Sequence, residues 1–128
     1  MPAINQNIEH YAGDTATITI GPVVDGSGTD VDLSGATARW WMGKSVSATG
    51  TDIYLKKSVG SGLAIDRVTT DQWSIVITLL PADTDFTASA IKAGTYYHEC
   101  EVVDAGGNIS TVTIGKFVLK PTLIPDVL

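Results

Sequence analysis

Several short runs of the chain alternate apolar and polar residues with a period of two, and clusters of turn residues separate them, which is the pattern of half-buried strands. In "TATITI", Ala16, Ile18 and Ile20 share one face, and Thr15, Thr17 and Thr19 the other. In "ATARWWMG", Ala36, Ala38, Trp40 and Met42 alternate with Thr37, Arg39 and Trp41. "WSIVITL" sets Trp73, Ile75, Ile77 and Leu79 against Ser74, Val76 and Thr78. The runs "IYLKKS" and "GLAIDRV" are weaker strand candidates. "GPVVDGSGTDVDLSG", "SVSATGTD" and "SVGSG", rich in Gly, Ser, Thr and Asp, read as loops. In "PADTDFTASAIKAG", Pro81 suits a first helical position, but the stretch is too short and Thr-rich for more than a turn.

Two strands, "TYYHECEVV" and "ISTVTIGKFVLK", follow, and the glycines of "DAGGN" between them supply the positive φ angles of a hairpin turn. In the second strand Val112 and Ile114 fall on even positions and Phe117 and Leu119 on odd ones. A β-bulge near Gly115 would bring both pairs to the core face. About seven strands at this spacing, with no long helix, predict an all-β, antiparallel β-sandwich. Residues 1–120 form this single domain, and residues 121–128, "PTLIPDVL", are expected as an extended C-terminal arm. Two prolines exclude the arm from a central strand, and Leu123, Ile124, Val127 and Leu128 give it apolar side chains suited to docking.

Composition narrows the partners. The 128 residues are 44% hydrophobic and 17% charged, a foldable globular balance with a net charge of −6. Neither half of the chain is basic, and no basic run exceeds the pair Lys56 and Lys57. Nucleic acid is therefore not an expected partner. The N-terminus has neither the basic nor the apolar region of a secretory signal, and no apolar run approaches the ~18 residues of a membrane helix. A cytoplasmic site of synthesis and assembly, and no membrane partner, are expected.

Candidate chemistry is sparse. The only cysteine, Cys100, stands two residues after His98, and alternation places Tyr96, His98, Cys100 and Val102 on the apolar face. A buried thiol is inert, whereas a catalytic thiolate needs exposure and a nearby cation. Zinc needs three or four ligands, and the only other histidine is His10. "DGSGTDVD" aligns Asp25, Ser27, Thr29, Asp30 and Asp32, but Asp30 and Ala36 stand where a calcium loop needs Gly and Glu. Glu99 and Glu101 share a strand face with no acid–base partner in view. The expectation is no enzyme, no catalytic residue, no metal and no cofactor. Trp41 differs: with Trp40 in the core it must point outwards beside Arg39, either as a binding hot spot or covered by a loop or the Arg39 stem.

Four segments together, "GDTATITI", "VDLSGATARWWM", "QWSIVITLLPADT" and "AGTYYHECEVVDAGGNISTVTIGKFVLKPTLI", resemble the immunoglobulin-like domains of tailed-phage structural proteins. The N-terminal domains of siphophage baseplate upper proteins are the particular likeness, over residues 13 to 124. The resemblance implies an immunoglobulin-like sandwich in which Tyr96, or else Tyr97, forms a tyrosine corner. It implies a non-enzymatic virion subunit in the tail, baseplate, neck or fibre, assembled in the host cytoplasm. Its partners would be other virion proteins, met in multiple copies or as a homo-oligomer. With no receptor-binding extension following the sandwich, an adaptor or connector is favoured, with a capsid decoration subunit as the alternative. Trp41, Tyr97 and the four apolar arm residues are the candidate protein interface. A carbohydrate-binding module is the competing class, in which Trp41 and Tyr97 would stack on sugar rings.

Overall fold

The alternating runs become strands because each buries one face and leaves the other in water. The computed structural model of the chain describes residues 4–69, 72–84 and 92–121. Its strands are β1 (Ile4–Asn5), β2 (Ile8–Tyr11), β3 (Ala16–Ile20), β4 (Thr37–Gly43), β5 (Ile53–Val59), β6 (Gly62–Thr69), β7 (Gln72–Leu79), β8 (Gly94–Val103) and β9 (Ile109–Lys120). A single helical turn, α1 (Pro81–Thr84), starts at the proline. The hydrogen-bonded path runs β1-β9-β8-β4-β5-β6-β7-β3, with β2 also on β9.

This path curls into a nearly closed, barrel-like sandwich. One layer is β9, β8, β4 and β5; the other is β6, β7 and β3. The layers join through a seam of two residue pairs, Ser58 with Gly62 and Val59 with Leu63. At the opposite side the Gln6 side-chain amide donates to the Thr19 carbonyl at 3.3 Å, linking the N-terminal segment to β3. The architecture is an all-β immunoglobulin-like sandwich. Trp40, Met42, Phe117 and Leu119 from the first layer meet Ile18, Ile20, Ile75, Ile77 and Leu79 from the second, all buried. The Tyr96 hydroxyl donates to the carbonyl of Lys92, four residues upstream, so Tyr96 and not Tyr97 makes the tyrosine corner.

Two features depart from the expected pattern. The N-terminal strands β1 and β2 lie parallel on β9. No hairpin joins them to β9, so nothing forces antiparallel pairing, and residues 12–15 then carry the chain across to the other layer. The bulge in β9 is at Val112 and not near Gly115: Cys100 pairs with Thr113, but Glu101 pairs with Thr111. Val112, Thr113, Phe117 and Leu119 are consequently buried, whereas Ile114 is only half-buried. Gly115 has another use. A Cβ there would stand 2.1 Å from the Gln6 carbonyl oxygen, so only glycine admits the N-terminal segment this close.

Candidate functional site

The outward face of β5, β4 and β8 gathers the interface residues expected within the sandwich. Parity along β4 buries Trp40 completely and leaves Trp41 38% exposed. Across the strands Trp41 pairs with Lys56 on β5 and Glu99 on β8, and Arg39 pairs with Glu101. The Lys56 ammonium sits 4.5 Å from the centre of the Trp41 ring and the Arg39 guanidinium 5.9 Å from it. Arg39 also donates through Nη2 and Nε to the same Glu101 oxygen, at 2.6 and 3.1 Å. Beside them Val46, Ala48 and Ile53 complete a groove of about 300 Å³, apolar along one side and walled by Arg39, Glu99 and Glu101 on the other.

Tyr97 shares this face, one register step beyond Trp41, between Gly43 and Lys116, and is half-buried. Burial and the neighbouring Glu99 raise its phenol above the ordinary value. A slip between Met42 and Gly43 makes Tyr54 the extra residue of β5, and its ring meets Tyr96 edge-on at 5.4 Å. Leu123, Ile124, Val127 and Leu128 lie outside the described residues.

The residues that looked most like chemistry are otherwise occupied. Cys100 is fully buried, and burial pushes its thiol up to about 12. His98 cannot activate it, because both ring nitrogens are taken. Nδ1 accepts the Trp40 indole N–H at 3.1 Å, which leaves the proton on Nε2 to be donated to the Gln6 carbonyl at 2.6 Å. In antibody domains the position two residues after the corner tyrosine is a disulfide cysteine packed on a buried Trp. Here it is His98, whose ring lies 6.0 Å from that of Trp40.

The "DGSGT" loop resolves in the same way. One Asp25 oxygen accepts from the Ser27 and Thr29 amides at 2.9 and 3.0 Å and from the Ser27 hydroxyl at 2.7 Å. Asp104 accepts from the Gly106 and Asn108 amides with the same spacing in the β8–β9 hairpin. In both turns the fourth residue is a left-handed glycine, Gly28 or Gly107. These hydrogen bonds lower the pKa of both carboxyls. The loop is a side-chain-braced turn, and among the described residues no group of three or more His, Cys, Asp or Glu could hold a metal ion.

Sequence reasoning missed two elements of this arrangement. Lys56 is the cation closest to Trp41, which strand parity reveals only once β5 is known to pair with β4. His10 is buried on β2 with Nε2 3.3 Å from the Thr84 hydroxyl, whose oxygen accepts the Gly13 amide at 2.8 Å. No protein-family model matches the chain, and no curated protein matches it either. Among solved structures, CopC from Methylosinus trichosporium OB3b is similar at a TM-score of 0.41 and 9% identity, over 92% of this chain and 87% of that one.

Proposed function

We propose that the protein is a non-enzymatic structural subunit of a bacteriophage virion, an adaptor or connector of the tail, baseplate, neck or fibre that works by protein–protein contact. The observation that carries the contact role is Trp41, an exposed indole at the centre of a sheet face and beside a groove with one apolar and one charged side. Such anchors dominate interface energies when a partner removes them from water. The virion assignment rests on the resemblance of the four sequence segments. Partner proteins of the particle, met in several copies, are the corresponding ligands. A sugar platform is disfavoured, because Lys56 stands over the ring that a sugar would need and Tyr97 is half-buried.

The arm of residues 121–128 belongs to the same proposal. Burying its four large apolar side chains is worth about 6–12 kcal/mol, at roughly 1.5–3 each. Ordering its eight backbone residues costs on the order of 8–16 kcal/mol. These nearly cancel, so a lone arm binds weakly, and several arms on a symmetric partner bind together. Trp41→Ala and a chain ending at residue 120 are the test, each assayed by native mass spectrometry and by co-assembly with neighbouring virion proteins. Both are expected to melt close to the wild type while losing assembly. Normal assembly of both would overturn the proposal.

A further inference from the structure

Both histidines of the chain hold the same segment, and His98 does so as a neutral ring, because its Nδ1 accepts the Trp40 N–H. Residues 4–11 touch the sheet as two short strands, β1 and β2, each paired only with β9. Between them the ladder breaks. The Gln6 amide still donates to the Ile114 carbonyl at 2.8 Å, but the Lys116 amide goes to the Asn7 side chain at 3.0 Å. The Gln6 carbonyl instead turns inwards, over Gly115, to His98 Nε2. His10, on β2 itself, is bound through Nε2 to Thr84 of α1. Thr84 also accepts the Gly13 amide at 2.8 Å, so its hydroxyl ties His10 to the turn that follows β2.

A second proton has no place on the His98 ring as it is held. It would have to enter on Nδ1, facing the Trp40 N–H. The residues flanking His98 are Tyr96 and Cys100 on its own strand, Trp40 and Met42 on β4, Gly115 and Phe117 on β9, and Gln6. None of them is a carboxylate that could balance an imidazolium. His10 has Asp14 and Asp83 nearby, which raise its pKa, yet burial outweighs them and lowers it. On the solvent side of the segment stands an ion pair between Glu9 and Lys120 at 3.0 Å, and the Lys120 ammonium lies 5.5 Å from the centre of the Tyr11 ring.

We propose that residues 4–11 are an acid-released strap: His98 and His10 clamp it to the sandwich while neutral, and protonation of the two rings frees it while the rest of the sheet stays folded. Release admits water to both imidazoles; the His98 ring, no longer held by the Gln6 carbonyl, can turn Nδ1 from the Trp40 N–H toward that water, and the ordinary proton affinity near 6.5 returns. A histidine that ionises only in the released form raises the released population up to about 30-fold from about pH 7.5 to about pH 5, above the range where ordinary carboxylates titrate.

Hydrogen exchange read by mass spectrometry on the full chain, corrected for intrinsic rates, tests this at the two pH values. Protection over residues 4–11 should fall by at least about 10-fold on acidification in the wild type, with β4 and β8 unchanged and Cys100 unreactive to dithiodipyridine. His98→Gln keeps a donor and an acceptor but cannot ionise. It and His10→Gln should each remove part of the pH dependence, and the double variant should remove nearly all of it. A wild-type loss under about 3-fold, a double variant with the wild-type profile, or simultaneous loss in β4 and β8 would overturn the strap. If the variants do not fold, imidazole nitrogen shifts of the wild type decide. Both rings staying neutral while the segment loses protection would equally refute it.

Discussion

Trp40 and Trp41 are chemically identical neighbours whose roles are set by strand parity alone. Trp40 is enclosed by Phe117, with ring centres 6.1 Å apart, and by His98, to which it donates its indole proton. Trp40→Ala should cost about 3–5 kcal/mol, the range for deleting a core aromatic, plus the loss of a partner for a buried imidazole. Trp41→Ala removes exposed surface and two cation contacts and should cost no more than about 1 kcal/mol in the isolated protein. Urea titration of the two variants measures the difference. Cys100→Ala should cost about 1–2 kcal/mol through a small cavity. The native thiol, fully buried, should react with reagent only as fast as the protein opens.

At the scale of elements, β9 does two jobs that demand different local structure. Its bulge at Val112 switches which parity faces the core, and Gly115 leaves room for Gln6. Gly115→Ala forces a methyl group into a backbone carbonyl that cannot swing away as a flexible side chain would. The expected cost is about 1–3 kcal/mol, with faster exchange over residues 4–11 as its local signature. The seam between β5 and β6 depends on another contact. Lys57, 11% exposed at its side chain, pairs at 2.8 Å with Asp83 of α1, which also accepts the Leu80 amide. Asp83→Ala would leave a nearly buried ammonium alone, and a loss of about 1–3 kcal/mol in urea unfolding is expected.

For the whole molecule, the buried titratable groups bracket a pH range of constant stability. The pKa values of His98 and His10 are lower in the folded state than the ordinary 6.5. Their contribution is therefore complete above about 6.5 and is lost as pH falls toward the folded values. Cys100 is the opposite case, raised from 9.0 to about 12. Its contribution is complete below about 9 and is lost as pH rises from there toward 12. Asp25, Asp32 and Asp104, lowered from 3.8 by hydrogen bonds from their own turns, add a further decline at acid pH below that value. Unfolding midpoints in urea should be level from about pH 6.5 to about pH 9 and fall on both sides. In the double variant His98→Gln, His10→Gln the acid shoulder should move down toward the carboxylate range.

The alternation in "TATITI", "ATARWWMG" and "WSIVITL" was sufficient to identify β3, β4 and β7 and to tell Trp40 from Trp41, because one side of a strand must leave water and the period of two admits no other choice. The burial of Cys100 followed from the same parity. Tyr96 remained ambiguous with Tyr97 until the Lys92 carbonyl was found within reach of its hydroxyl. The first strands were invisible because "INQNIEHY" barely alternates; Ile4, Ile8 and His10 have meaning only against β9. The bulge was legible in the parity change of β9, but not its position, since glycine is equally suited to a bulge and to a close approach. Lys56 over Trp41, Gln6 on His98 and Thr84 on His10 join residues 15, 92 and 74 positions apart in sequence. Local periodicity encodes which side of a strand is buried, whereas which strands become neighbours depends on the packing of the whole sandwich, and these contacts exist only there.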